Sequence, residues 1–235
     1  MELQDLLNNP PLLHQMNTGE LTSSWKLHNE TLYYIDKHVN HTSKTLETGG
    51  GMSTILFTLK GAEHTCIVPD QGLVDRIKQY CVNHQIDAKK LSFQVDKSEN
   101  VLPSIEVNDL DLVLIDGRHA FPSPFIDWYY TAWRLKVGGL LLVDNTEIWT
   151  GAVLRDFLLA EQEWQLQQED LPQCAAFKKL AEYTHSKTWG EQVYTLRNSR
   201  NHILSAKIQQ AFRLLRQGQL STLMNKLGNF TIKAT

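Results

Sequence analysis

Five short apolar runs recur along this chain with stretches of helical spacing between them: "KTLET" (44–48), "TCIV" (65–68), "LSFQV" (91–95), "DLVLI" (111–115) and "LLLV" (140–143). Parallel strands need long crossovers, and crossover helices bury both faces of the sheet, so each strand is apolar on both sides rather than alternating. The order therefore specifies an α/β fold with a doubly wound sheet. Leu73, Ile77, Tyr80, Cys81 and His84 lie at helical spacing between the second and third runs. Phe125, Tyr129 and Trp133 mark a second helix, and Val153, Leu154, Phe157 and Leu158 a third. The aromatic cluster Trp128, Tyr129, Tyr130 and Trp133 reads as core rather than as a substrate wall. Further on, "CAAFKKL" (174–180) and "EQVYTLR" (191–197) read as two more strands, paired antiparallel at one sheet edge.

Residues 1–43 are polar and loop-rich, with one helix expected about "NETLYYIDKHV" (29–39), and form a candidate cap over the sheet. At the other end, Leu204, Ile208, Ala211, Phe212 and Leu215 form a helical stripe, and Leu220, Leu223, Met224 and Leu227 suggest a second short helix. The expected division is a cap over 1–43, a ligand-binding domain over 44–200 and amphipathic helices over 201–235. No acid follows Glu191, so this tail is basic. Packing on the domain or across a homo-oligomer outweighs an anionic membrane surface as its expected use.

A chain of 235 residues, 42% hydrophobic and 21% charged with a net charge of -3, has an ordinary globular composition and nothing that points to a nucleic acid partner. Its cysteines, Cys66, Cys81 and Cys174, are odd in number and widely spaced, which offers no disulfide framework and suits a reducing, cytoplasmic compartment. No run is long enough to span a bilayer, and "MELQDLLNNPPLLHQ" lacks the pattern of a signal peptide, so neither secretion nor a membrane partner is expected.

The chemistry begins at "TLETGGGMST" (45–54), three glycines between the first run and a helix carrying Ile55, Leu56 and Leu59. Glycines let a backbone approach a ligand closely, and a helix N-terminus offers free N–H groups. There is no Gly-Lys-Ser/Thr ending for a triphosphate, and Thr54 stands where a dinucleotide fingerprint has its third glycine. Glu47, just before the glycines, would repel a pyrophosphate but suits a cationic ligand such as S-adenosylmethionine (SAM), whose sulfonium and ammonium are both positive.

With Glu47, Gly49 and Gly51 in the order E/D-x-G-x-G, the chain resembles the class I SAM-dependent methyltransferases. The likeness extends from "LYYIDKHV" to "VYTLR" and includes "LVLIDGRHAFPSPFIDWYYTAWRLKVGGLLLVDNT", similar to the fourth and fifth strand region of the small-molecule branch. It implies a Rossmann-like sheet of seven strands whose last pair is antiparallel, with SAM held by Glu47, Gly49, Gly50, Gly51, Ser53 and Asp116. The acid that usually ends the second strand falls at Val68; Asp70 is the nearest carboxylate for the ribose. Ser98, in "QVDKSENVLP", matches the residue that meets the adenine, with Asp96 beside it.

Two further strand ends carry oxygen ligands: Asp116 after "DLVLI", and Asp144 with Asn145 after "LLLV". The family's strand order makes these neighbours. The same arrangement occurs in metal-dependent catechol-type, caffeoyl-CoA-type and macrolide-sugar O-methyltransferases, so the resemblance implies a divalent ion on Asp116, Asp144 and Asn145. Such hard donors suit Mg²⁺, Mn²⁺ or Ca²⁺. His119, three residues after Asp116, is the candidate general base beside it, and the other histidines look unremarkable. The expected activity is SAM-dependent O-methylation of a small-molecule hydroxyl, on a sugar or a phenol. The alternatives are a SAM-binding partner subunit without turnover, which would not need the acid constellation, and a nucleotide-dependent oxidoreductase, disfavoured by Glu47 and Thr54.

Overall fold

The computed structural model describes residues 1–167, 170–220 and 222, in two compact units, Met1–Ser186 and Lys187–Thr235. The first unit opens with α1 (Leu3–Asn8), a small hairpin of β1 (His14–Gln15) and β2 (Leu21–Thr22), and α2 (Asn29–His38). There follow β3 (Lys44–Thr48), α3 (Met52–Leu59), β4 (Glu63–Ile67), α4 (Gln71–Asn83), β5 (Leu91–Gln94), α5 (Ser98–Val101), β6 (Leu110–Ile115), α6 (Ser123–Thr131), β7 (Leu135–Val143), α7 (Trp149–Ala160), β8 (Trp164–Leu166) and β9 (Ala175–Lys179). The second unit holds α8 (Val193–Arg216).

The main sheet has seven strands in the order β5-β4-β3-β6-β7-β9-β8. Strands β3 to β7 are mutually parallel, and β9 runs antiparallel to both β7 and β8. The chain winds outward from β3 to β5 and then returns to lay β6 against the other side of β3. Ligands of open α/β sheets bind at the carboxyl ends of the strands flanking such a reversal. Leu112 and Leu114 of β6 join Leu142 of β7 and Ala176 of β9 in a core cluster with side chains of α1 to α4. Their neighbours Val113 and Leu141 are also fully buried, so both faces of the central strands are covered.

Three expectations need correction. The segment 191–197 is not a strand: α8 begins at Val193. Its run of Val, Tyr, Thr and Leu carries β propensity, but that propensity is weak against a helix that propagates through 24 residues. The partner of β9 is the three-residue β8, too short to display any alternation. Second, only part of the aromatic cluster is core. Trp128 packs edge-on against Phe157 and Tyr183, whereas Tyr129, stacked on His185, and Trp133, in the turn beyond α6, are exposed. Third, the leading segment contains a hairpin and a second helix in addition to α2. The expected helix over Leu220, Leu223, Met224 and Leu227 lies largely outside the described residues.

Candidate active site

Register brings the functional strand ends together. Thr48 is paired with Ile115, and Ile115 with Val143, so the residues that follow emerge side by side at one edge of the sheet. Backbone bonds extend each ladder by one step: Gly49 N donates to Ile67 O (2.9 Å), Asp116 N to Thr48 O (3.1 Å) and Asp144 N to Ile115 O (3.0 Å). Beyond them opens a cavity of about 1150 Å³. Its floor and walls include Thr48, Gly49, Gly50, Val68, Ser98, Asp116, His119, Asp144 and Asn145. Ligand pockets usually measure about 300–1000 Å³, so this volume admits a nucleoside-sized cofactor together with a small second molecule.

Glu47, Gly51, Ser53 and Asp70 do not line the cavity. Glu47 is wholly buried behind the glycine loop, where it accepts hydrogen bonds from Ser53 Oγ (2.7 Å), Thr54 Oγ1 and His64 Nε2 (3.1 Å). Thr54 Oγ1 in turn accepts from Gly51 N at 3.0 Å. With its Nε2 hydrogen given to Glu47, His64 accepts at Nδ1 from Thr45 Oγ1 (2.8 Å). Glu47 thus shapes the loop by tying the first turn of α3 to the sheet. Gly49 adopts φ +85°, and a Cβ there would stand 2.1 Å from the Asp116 carbonyl oxygen. Only glycine lets these two strand ends approach so closely.

On the wall formed by β4 and β5, Val68, Pro69 and Leu73 face the cavity, and so do Lys97, Ser98 and Glu99. Asp70 instead turns outward to Arg76 (3.3 Å). Asp96 accepts from Lys97 N (2.7 Å) and Asn100 Nδ2 (3.0 Å), which holds its carboxyl below the usual range.

Asp116 and Asp144 are neighbours within hydrogen-bonding reach. Burial, the Asp144 charge and then Glu47 raise the Asp116 carboxyl well above its ordinary range; burial also raises Asp144, opposed by the bond from Asp116. Two adjacent carboxylates in such surroundings disfavour one another's charge, which adds to burial in raising Asp116. Asn145 takes φ +52° at the end of β7 and donates from Nδ2 to Glu147 (3.0 Å). His119 Nε2 is 4.0 Å from Asp116 Oδ1. Burial lowers the His119 pKa, against an opposing pull from Glu147, so its ring is neutral at pH 7. Among the described residues, no three His, Cys, Asp or Glu side chains gather as a metal site.

Several lining residues carried no recognisable signal in the sequence. His14, Trp25, Lys26 and His28 come from the leading segment and close the cavity from above. The His14 and Trp25 rings are 5.5 Å apart, and His28 Nε2 is 3.0 Å from Gln173 Oε1, another lining residue. Burial lowers the His14 pKa, as does nearby Arg76. A tryptophan amid the polar stretch "TSSWKLHNE" was the available hint.

No family model and no curated protein matches the chain. Solved structures do. A Staphylococcus aureus protein assigned as a caffeoyl-CoA O-methyltransferase superposes with a TM-score of 0.57 at 14% identity, over 66% of this chain and 85% of that one. The O-methyltransferase TomG of Streptomyces achromogenes, involved in tomaymycin synthesis and solved with SAM, gives 0.52 at 13% identity, over 65% and 79%. A Clostridium thermocellum protein assigned as an rRNA methylase gives 0.53 at 12% identity, over 66% and 96%. With its seven-stranded sheet and reversed β9, the chain has the Rossmann-like fold of the class I SAM-dependent methyltransferases.

Proposed function

We propose that this protein is a SAM-dependent O-methyltransferase acting on a hydroxyl of a small molecule. The observation that carries the reading is the meeting, in one cavity, of the Gly49–Gly50 loop with the Asp116–Asp144 pair and His119. Gly49, Gly50 and Asp116 would hold the methionine part of SAM, and Val68 and Ser98 its adenosine. The acceptor occupies the remaining volume under Trp25 and His28.

The acid pair fits a divalent ion by donor chemistry, since two carboxylates and an amide, all hard oxygen donors, stand at adjacent strand ends and the carboxylates repel one another unless a proton or cation lies between them. Asp116, Asp144 and Asn145 would hold the ion, which when bound supplies charge that acidifies an acceptor hydroxyl. The Asp pair orients that hydroxyl towards the cofactor, and neutral His119 takes its proton at Nε2. The walls exclude water and fix the approach of oxygen to methyl carbon.

Titration with S-adenosylhomocysteine tests the cofactor; tight NAD⁺ binding with no S-adenosylhomocysteine binding would refute it. Once an acceptor is found, His119→Ala is expected to lower turnover about 10²- to 10⁴-fold, with partial recovery at higher pH. Asp144→Ala is expected to lower turnover severely with little change in cofactor affinity. Full activity after exhaustive EDTA treatment would remove the metal from this scheme.

A further inference from the structure

Along α8, Leu204, Ile208, Ala211, Phe212 and Leu215 recur at three- and four-residue spacing, which puts them on one side of the helix. Four of them are widely exposed: Leu204 by 59%, Ile208 by 47%, Phe212 by 61% and Leu215 by 47%. Isolated helices in water are marginal, and an apolar stripe of this length calls for a partner.

Charge identifies the partner. All 26 Asp and Glu side chains lie at or before Glu191, so the arginines Arg197, Arg200, Arg213 and Arg216 share α8 with no acid in that helix. Self-pairing along the stripe would bring two cationic helices together in a seam whose own residues supply no acid for flanking ion pairs. A nucleic acid would satisfy the cations and leave the apolar row in water. An anionic lipid surface satisfies both: aliphatic and aromatic side chains enter the acyl boundary while long cationic side chains reach the phosphates. Among the described residues no helix is long and apolar enough to cross a membrane, which suits a helix lying in the plane of the interface. We propose that α8 is a membrane-surface anchor that holds the protein on anionic lipid through its stripe and its arginines.

The test is co-sedimentation of the full chain with phosphatidylserine-containing vesicles and with phosphatidylcholine vesicles. Binding to the former alone, falling as salt rises, is expected. Arg213→Gln with Arg216→Gln should weaken it about 25-fold, from about fivefold per cation near an anionic leaflet. Ile208→Gln with Phe212→Gln should abolish it. S-adenosylhomocysteine affinity, measured on every variant, should stay at the wild-type value, which shows the first unit intact. No partition onto anionic vesicles would overturn the proposal, as would unchanged partition of either double variant. A dimer by light scattering that Ile208→Gln with Phe212→Gln dissociates, without vesicle binding by the wild type, would show self-association instead. An RNA oligonucleotide bound in preference to the vesicles would also overturn it. Loss of S-adenosylhomocysteine binding by the wild type would refute the methyltransferase reading alone.

Discussion

Asp127, on the inner side of α6, is fully buried, and neither of its carboxylate oxygens has a hydrogen-bond partner in bonding geometry. Burial pushes its pKa up to about 6, against a downward pull from the Ser98 and Thr48 hydroxyls and with a further push from Glu99. Because the folded pKa lies above the unfolded one, the protonated form contributes stability that is fully present below about pH 4 and lost as pH rises through about 6. Asp127→Asn is therefore expected to stabilise the protein by about 1–3 kcal/mol at neutral pH, with the advantage vanishing near pH 4. Urea unfolding of both proteins across this range checks it; a difference independent of pH would contradict it. The glycine loop supports a second comparison. Gly49 combines φ +85° with a backbone oxygen where Cβ would lie, whereas Gly51 has φ 174° and would meet only the His14 ring, 3.1 Å away. Gly49→Ala is expected to abolish S-adenosylhomocysteine binding and lower the melting temperature. Gly51→Ala should keep binding within about an order of magnitude, because a side-chain neighbour can yield where a backbone cannot. Calorimetric titration of the two variants separates them.

At the level of elements, the central strands were legible because each is buried on both faces and so reads as an apolar run. The short elements were not. Strands β1, β2 and β8 have two, two and three residues, and their hydrogen bonds, not their composition, define them. The hairpin is held by contacts distant in sequence: Arg76 Nε donates to the Leu13 carbonyl, and beyond the hairpin His28 meets Gln173. Trp25 lines the cavity from this cap while remaining 63% exposed. Trp25→Ala should raise the acceptor KM by about tenfold while changing S-adenosylhomocysteine affinity little, the loss expected for one aromatic contact. Equal losses for both ligands would assign Trp25 to the cofactor side.

For the whole molecule, one apolar cluster from Leu3 to Ala176 joins the helices α1 to α4 to the sheet, and the chain divides into two compact units between Ser186 and Lys187. A chain ending at Ser186 is thus expected to fold, to melt within about 3 °C of the full protein and to bind S-adenosylhomocysteine equally well. Thermal unfolding and calorimetry of the truncated chain check this. A fall of more than about 8 °C, near the effect of 2–4 kcal/mol for a domain this size, would mean that the second unit contributes to the stability of the first.

Local periodicity and glycine placement determined the α/β class, the five parallel strands and the loop at Gly49, because burial on both faces leaves its mark residue by residue. The acids at the ends of β6 and β7 were visible for the same reason: a charge that interrupts an apolar run is conspicuous. Tertiary structure alone decided that Glu47 faces inward to Ser53, Thr54 and His64, that Asp70 turns to Arg76, and that Trp25 and His28 close the cavity. Those outcomes depend on side-chain direction and on pairings as distant as His28 with Gln173, 145 residues apart. No local pattern encodes such a pairing, since its free energy exists only once the chain has brought the two groups together.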